Sequence, residues 1–322
     1  MKLQILVPQY METDEVVKPL LDSIQLQQAV DLEREVGVII VNDGSDVHLS
    51  DELLNSYTFK IDYYLNEHKG VSATRNELLD KATADYVMFC DADDLFFNAC
   101  GLWIIFREIK KGFDSLVSVF VEEAYKKDTD EIVYVNHEHD STFVHGKVHK
   151  RQYLIDKNIR WNEALTIHED SYFNTLCQAL SEDVIYIGSP FYLWKYREAS
   201  VCRHDPKYSL KTYSNLIDSN EALIDELAAR GHQDKADMFV VHMIFGSYYT
   251  MNKPQWINQE NKEYRDSVEE RFTQYYRKYK PVWDRIPSED KMKMSMGIRN
   301  RAVINGMQME TITIDDWLSG RS

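Results

Sequence analysis

Three carboxylates fall within four residues at Asp91, Asp93 and Asp94, directly after the apolar segment 86–90. Grouped carboxylates repel each other where the dielectric is low. A hard divalent cation removes this repulsion, and oxygen ligands suit Mg²⁺ or Mn²⁺. Such a cation can in turn hold phosphate groups, so the spacing indicates a metal site for a phosphorylated substrate. An acidic surface turn or a helix N-cap has the same composition, and the motif alone does not separate these alternatives.

A second pair of carboxylates, Glu169 and Asp170, stands at the start of a predicted helix over 171–180. A carboxylate set apart from a metal site can act as a general base that accepts a proton from a hydroxyl group. The alternative is that both residues only complement the positive end of the helix macrodipole. The two roles are compatible, because a helix N-terminus favours the ionised carboxylate.

The elements that must position these residues alternate between strand and helix patterns over the first hundred residues. Apolar strand-like runs are predicted at 3–7, 36–41, 61–65 and 86–90, with helices at 16–24 and 71–82. Continuous apolar strands, each followed by a helix, are typical of a mainly parallel sheet covered on both faces. Ligands of such sheets bind beyond the carboxyl ends of the strands. The turns around Asp43 and Asp91 both follow strands, so we expect them to line one cleft.

The later part of the chain has a different pattern. A helix is predicted at 102–111 and strands at 116–122 and 131–135, and the residues beyond about 205 have helical periodicity. We therefore predict an α/β domain at 1–205 and a helical region at 206–322 for acceptor selection, membrane docking or oligomerisation.

A histidine-rich stretch at 136–149 contains His137, His139, His145 and His149. Their spacing matches no zinc pattern, so a polar loop is the preferred interpretation. Trp161 has two interpretations, a platform for a sugar ring or a core residue.

Six segments in order resemble the family 2 glycosyltransferases, inverting enzymes of the GT-A fold. The segments are Ile5-Leu6-Val7-Pro8-Gln9-Tyr10, Ser23-Ile24 to Gln27, Val41-Asn42-Asp43-Gly44-Ser45, Gly70-Val71-Ser72-Ala73-Thr74-Arg75-Asn76, Asp91-Ala92-Asp93-Asp94 and His168-Glu169-Asp170 with Tyr172-Phe173. The resemblance covers residues 3 to 204. It implies transfer of a sugar from a nucleoside-diphosphate donor, with a UDP-sugar favoured, to an acceptor hydroxyl.

The resemblance also implies a role for individual residues of the donor site. Pro8 and Tyr10 would frame the nucleobase, and Asp43 would accept a hydrogen bond from it or hold the nucleoside. Arg75 would contact the base or a phosphate, or would form a salt bridge to a carboxylate of the cleft. Ala92 would lie at the centre of the donor site between its two carboxylates.

The metal site and the catalytic base follow from the same resemblance. Asp93 would bind Mn²⁺ or Mg²⁺ directly, Asp91 would face the ribose and diphosphate near the cation, and His204 would be a third ligand. Asp170 would be the base, and Glu169 would be an alternative base or would position the acceptor. Asp94 would orient the turn, and Arg197 and Arg203 would be phosphate neighbours.

Two residues depart from the family pattern near the base pocket. Met11 stands where the family commonly has asparagine, and Asn42 replaces a frequent aspartate. Neither position belongs to the implied metal site or catalytic base.

The composition limits the partners. The formal net charge of −16 disfavours a nucleic-acid partner, because polyanions are repelled. The four dispersed cysteines and the lack of a signal-peptide pattern predict a soluble cytoplasmic protein, with peripheral contact at the inner membrane face and homo-oligomerisation as further options. The expected acceptor is a carbohydrate or glycolipid. The rival interpretations are a non-catalytic sugar-nucleotide-binding protein, a nucleotidyltransferase, and a transferase acting on a protein or a modified nucleic-acid base.

Overall fold

The computed structural model describes residues 1–197, 208–258, 261–304 and 313–321. The chain divides into two compact units, Met1–Ser200 and Val201–Ser322. The boundary predicted at 205 falls outside the described residues. The functions predicted for the two parts remain predictions.

The first unit contains nine strands and seven helices within its described residues. The strands are β1 (Leu3–Gln9), β2 (Val36–Asn42), β3 (Lys60–Leu65), β4 (Tyr86–Phe89), β5 (Leu95–Phe96), β6 (Ser115–Lys126), β7 (Glu131–His137), β8 (Lys147–Lys150) and β9 (Val184–Trp194). The helices are α1 (Asp14–Gln25), α2 (Leu32–Glu35), α3 (Asp51–Leu54), α4 (Val71–Lys81), α5 (Gly101–Ile109), α6 (Arg151–Asp156) and α7 (Glu169–Leu180).

The nine strands form one sheet in the order β3-β2-β1-β4-β8-β6-β9-β5, with β7 paired to β6. Strands β3, β2, β1 and β4 are mutually parallel, whereas β8 is antiparallel to both β4 and β6. The parallel strands are short apolar runs joined through helices, the arrangement that the sequence pattern predicts. The predicted mainly parallel α/β sheet is therefore confirmed.

Helix α1 illustrates how local sequence produces the core. Its apolar residues Val17, Leu20, Leu21 and Ile24 recur at helical spacing and are buried in one cluster with the inward residues of β1 and β2. Helix α4 begins after Gly70, whose φ of 91° lies in a region that favours glycine. That turn sets the direction in which α4 leaves the carboxyl end of the sheet.

The second unit is helical in its described residues, as predicted. Its helices are α8 (Tyr208–Lys211), α9 (Tyr213–Ala229), α10 (Gln233–Met251), α11 (Pro254–Ile257), α12 (Lys262–Arg285), α13 (Ser288–Ile304) and α14 (Ile314–Ser319). Ile217, Leu223 and Leu227 of α9 lie on its buried face, and α12 buries Phe272 and Tyr275. Among the described residues, no helix has the length and apolar character needed to span a membrane.

The prediction of a polar loop at 136–149 is wrong for the second half of that segment. His145 and His149 are 3% and 1% exposed, and β8 begins at Lys147. A buried histidine is tolerated where its ring packs and its nitrogen finds a partner. His149 Nδ1 lies 2.9 Å from Ser115 Oγ, and the His145 ring stacks on Tyr192. These partners are distant in sequence, so the local polarity of the segment does not reveal them.

Candidate active site

A pocket of about 200 Å³ opens at the carboxyl ends of β1, β2 and β4. Its walls consist of Pro8, Gln9, Tyr10, Glu12, Asp43, Val71, Thr74, Asp91, Ala92 and Asp93. Six of these residues, Pro8, Tyr10, Asp43, Asp91, Ala92 and Asp93, are donor-site or metal residues predicted from sequence. Parallel strands end at one edge of the sheet, which brings together turns far apart in the chain.

Asp43 fixes the backbone that leads into α4. Its carboxylate accepts hydrogen bonds from the Lys69 and Gly70 amides at 2.8 and 3.0 Å, and His68 Nδ1 lies 3.0 Å from it. The Tyr10 ring packs on His68 with ring centroids 4.9 Å apart. Asp43 therefore closes a turn and lines the pocket at the same time.

Arg75 lies between the two groups of carboxylates. Its Nη2 donates to Asp91 Oδ1 at 3.1 Å and its Nη1 to Glu169 Oε1 at 2.9 Å. The side chain is buried, and its guanidinium packs over the Trp161 ring, 4.5 Å from the centroid. Burial alone would lower the pKa of Arg75, but the charges of Asp91, Glu169 and Asp170 raise it overall. The guanidinium therefore remains charged and links the pocket to α7.

Asp91 is held in its ionised form. Burial would raise its pKa, but contacts with His145 and Arg75 lower that pKa to about 2. His145 Nε2 lies 3.6 Å from an oxygen of Asp91 and 3.6 Å from one of Asp94. An anionic Asp91 at the pocket wall is suited to a cation or to a hydroxyl donor.

Asp94 makes contacts of a different kind. It accepts hydrogen bonds from Tyr192 Oη at 2.6 Å and from the Lys195 amide at 2.9 Å, and it is 1% exposed. Burial, together with the charges of Asp91 and Asp93, raises its pKa well above the ordinary value. These contacts are those expected of a residue that orients the turn.

One cluster of the described residues, together with the neighbouring Asp93, could hold a cation. Potential ligand atoms of Asp91, Asp94 and His145 all lie within 4.8 Å of one another. Asp93 lies beside this set and lines the pocket, where its Oδ2 accepts a hydrogen bond from Arg197 at 2.8 Å. Carboxylate oxygens at the pocket wall fit Mg²⁺ or Mn²⁺, and the Arg197 pair shows that a positive charge is accommodated beside Asp93. His204, the third predicted ligand, and Arg203 lie outside the described residues.

The candidate base stands at the first turn of α7. The helix begins at Glu169 after His168, whose φ of 62° is uncommon for a residue with a side chain. The Asp170 carboxylate accepts a hydrogen bond from the Ser171 amide at 2.7 Å. Burial, followed by the charge of Glu169, raises the pKa of Asp170 to about 7. A carboxylate that titrates near neutral pH can take a proton from a hydroxyl group.

Sequence reasoning missed several residues of the pocket and its support. Gln9, Glu12, Val71 and Thr74 line the pocket but follow no chemical pattern, although each flanks or falls within a segment singled out from the sequence. Burial raises the pKa of Glu12, whose carboxylate faces Arg197 at 3.9 Å. The contacts of His145 with the acidic turn cross more than fifty positions of sequence, so no local signal indicates them.

Of the two interpretations of Trp161, sugar platform or core residue, the structure supports the core residue. It is 2% exposed and stacks on Phe173 with ring centroids 4.1 Å apart. The side chain is thus a core residue, and the expectation of a sugar platform at this position is wrong.

The known proteins that this chain resembles are glycosyltransferases. Residues 4–154 match the family described as Glycosyl transferase family 2. The chain is similar to glycosyltransferase GlyA of Streptococcus pneumoniae, with 26% identity over 259 residues that cover 72% of this chain and 35% of that protein. The chain therefore spans about a third of the length of this relative.

Solved structures resemble the fold over most of the chain. S. aureus TarS 1-349 in complex with UDP-GlcNAc is 18% identical, with a TM-score of 0.60 over 98% of this chain and 95% of that one. Mannosyltransferase PcManGT of Pyrobaculum calidifontis, solved with GDP-Man and Mn²⁺, is 15% identical, with a TM-score of 0.50 over 88% of each chain. Residues 4–154 thus resemble the family 2 glycosyltransferases, and the α/β fold is of the GT-A-like kind.

Proposed function

We propose that this glycosyltransferase moves a sugar from a nucleoside-diphosphate sugar, with UDP-sugars the first candidates, to an acceptor hydroxyl with inversion at the anomeric carbon. The observation that carries the proposal is the arrangement of two carboxylate groups joined by Arg75. One group, Asp91 and Asp93, lines the pocket, and the other, Glu169 and Asp170, begins α7. Inversion needs a base separate from the site that holds the leaving diphosphate.

The pocket residues would bind and orient the donor. Pro8 and Tyr10 would flank the base, Asp43 would hold the nucleoside, and Ala92 leaves room between the two pocket aspartates. UDP-GlcNAc bound by TarS and GDP-Man bound by PcManGT support a donor of this class.

Asp93 and Asp91 would hold a Mn²⁺ or Mg²⁺ ion, in line with the Mn²⁺ bound by PcManGT. Asp91 also belongs to the cluster of possible ligands with Asp94 and His145. When bound, the ion would supply positive charge that offsets the developing charge of the diphosphate. Arg197, which now pairs with Asp93, would be free to contact a phosphate oxygen.

Asp170 would take the proton of the acceptor hydroxyl as that oxygen attacks the anomeric carbon. The bond between the sugar and the diphosphate breaks as the new glycosidic bond forms, and the nucleoside diphosphate leaves with both electrons. Arg75 would keep Glu169 and Asp91 in place on either side of the reaction. The acceptor expected on family grounds is a carbohydrate or glycolipid.

The experiment that tests this proposal measures nucleotide release from UDP-GlcNAc, UDP-glucose, UDP-galactose and GDP-mannose with Mn²⁺. We expect turnover of one donor by the wild type and loss of at least about 100-fold in Asp93→Asn, because an electrostatic contact of the reaction is removed. Asp51→Asn, on an exposed residue of α3, is the matched control and should keep full activity. Binding of the donor without turnover by the wild type would instead identify a sugar-nucleotide-binding protein.

A further inference from the structure

A lysine is buried in β8, the strand that pairs with β4 beside the acidic turn. Lys147 of β8 is 1% exposed, and its ammonium donates to the Phe143 carbonyl and lies 3.5 Å from Asp140 Oδ1. Removing an ammonium from water carries a large desolvation cost, and replacing such a pair with apolar residues is often neutral for stability. Stability alone therefore does not explain why a charged residue lies at this position.

The first contact of Lys147 leads towards α7. Asp140 accepts hydrogen bonds from the Thr142 and Phe143 amides, each at 2.8 Å, so the lysine pairs with a carboxylate that shapes this loop. The Thr142 carbonyl then accepts a hydrogen bond from Asn174 at 2.9 Å. The same Asn174 amide group donates to the Asp170 carbonyl at 2.9 Å. The buried Asn174 side chain thus connects this loop to the helical turn that contains Asp170.

The second contact leads towards the pocket. The Phe143 carbonyl bonded by Lys147 belongs to a residue whose ring stacks on His145, with centroids 5.3 Å apart and planes at 4°. His145 in turn faces Asp91 and Asp94 at 3.6 Å each. The loop 140–146 therefore contacts Asp91 through His145 and is linked to the Asp170 carbonyl through Asn174.

We propose that Lys147 is a positioning residue for sugar transfer, which fixes the loop 140–146 and through it the relative placement of Asp170 and Asp91. The inference rests on the proposed function, because it treats Asp170 as the base and Asp91 as a donor contact. It assigns to Lys147 no contact with substrate. Its action runs through Asp140 and Asn174 on one side and through Phe143 and His145 on the other.

The test compares Lys147→Met and Asn174→Ala with Lys150→Met, an exposed lysine on the same strand. We expect kcat to fall by about 10-fold to 100-fold in the first two variants, because a small displacement of a reacting group is costly. The dissociation constant for UDP with Mn²⁺ should change by no more than about threefold, since Arg75 still holds Asp91 in the pocket wall. Lys150→Met should match the wild type. Unchanged kcat in Lys147→Met, or equal losses of kcat and UDP affinity, would overturn the proposal.

A second variant covers the case in which Lys147→Met does not fold. The double substitution Lys147→Met/Asp140→Asn removes both charges, while the side-chain oxygen that remains at position 140 can still accept hydrogen bonds from the loop amides. We expect this double variant to fold and to keep the low kcat, and a wild-type kcat here would refute the positioning role.

Hydrogen exchange separates this inference from the proposed function. The amides of residues 166–172 should exchange faster in Lys147→Met or the double variant, and in Asn174→Ala, than in the wild type and Lys150→Met. This readout needs no turnover, so it shows whether Lys147 stabilises the turn at 166–172 even if the wild type transfers no sugar. Equal exchange in all variants would count against it.

Discussion

At the scale of single residues, the proposed chemistry depends on how Asp170 titrates. Burial and the charge of Glu169 raise its pKa to about 7, and a base acts only when ionised. We therefore expect kcat/KM to rise with pH up to about 7 and then to level off, with a tenfold loss for each unit below that pH. Asp170→Asn should lose about 100-fold to 10,000-fold in kcat and should lack this acid limb.

The measurement is the pH profile of nucleotide release between pH 5 and pH 9, roughly the range in which such a carboxyl titrates. A flat profile over this range, as expected for an unperturbed carboxyl with a pKa of about 4, would contradict the assignment. Asp51→Asn, which removes an exposed carboxylate, should reproduce the wild-type profile.

The backbone conformation of Met11 leads to a second prediction at this scale. Its φ is 69°, a left-handed conformation that asparagine and glycine adopt more easily than other residues. The methionine is therefore in a strained backbone conformation that asparagine would adopt more easily. We expect Met11→Asn to raise the free energy of unfolding by about 0.5–1 kcal/mol.

Urea unfolding of the full chain, followed by tryptophan fluorescence, measures this change. Met11→Leu is the matched control, since leucine keeps the left-handed strain and should give no gain. If Met11→Asn is less stable than the wild type, the prediction is wrong. The contact between Met11 Sδ and Ser45 Oγ then stabilises the fold by more than the backbone strain destabilises it.

At the scale of elements, the sheet and the pocket wall could be predicted because their signals are local. Short apolar runs indicate the parallel strands, and polar turns at their carboxyl ends indicate the cleft. The positions of Asp43 and Asp91 follow from this rule.

The connections between elements could not be predicted in the same way. Arg75 joins Glu169, and Lys147 joins Phe143, through packing of side chains that no local pattern encodes. The burial of His145 among aromatic rings is of the same kind. Polarity along the chain therefore suggested a loop where the fold buries an imidazole.

The end of β9 leads to a prediction about cation binding. Arg197, three residues after β9, donates to Asp93 at 2.8 Å and thus occupies one of the oxygens expected to hold a cation. We expect Arg197→Met to bind Mn²⁺ about threefold to tenfold more tightly without nucleotide, because a competing positive charge is removed. The pair is partly exposed, which keeps the effect modest.

Titration calorimetry of Mn²⁺ with and without UDP measures this effect. With UDP present the gain should shrink or reverse, since a freed Arg197 can contact a phosphate. Arg34→Met, on an exposed arginine of α2, is the control. Weaker Mn²⁺ binding by Arg197→Met without nucleotide would show that the arginine supports the cation site instead of competing for it.

At the scale of the whole molecule, the net charge of −16 acts on every charged ligand that approaches. A nucleoside-diphosphate sugar is an anion, so the overall field opposes its arrival, whereas the same field attracts Mn²⁺. The carboxylates of the pocket add to this field close to the site. A bound cation would reverse the local sign, and an acidic protein could then bind the proposed anionic donor.

Because of this field, we expect the association rates of donor and cation to depend on the salt concentration. Raising the ionic strength shortens the Debye length from about 30 Å at 0.01 M to about 10 Å at 0.1 M, so long-range repulsion and attraction both weaken. We expect the association rate of the UDP-sugar without divalent cation to rise several-fold over that range, while that of Mn²⁺ falls. Stopped-flow measurements at constant pH separate the two rates. A donor association rate that falls with added salt would mean that a local positive patch, not the net charge, governs the approach of the donor to the pocket.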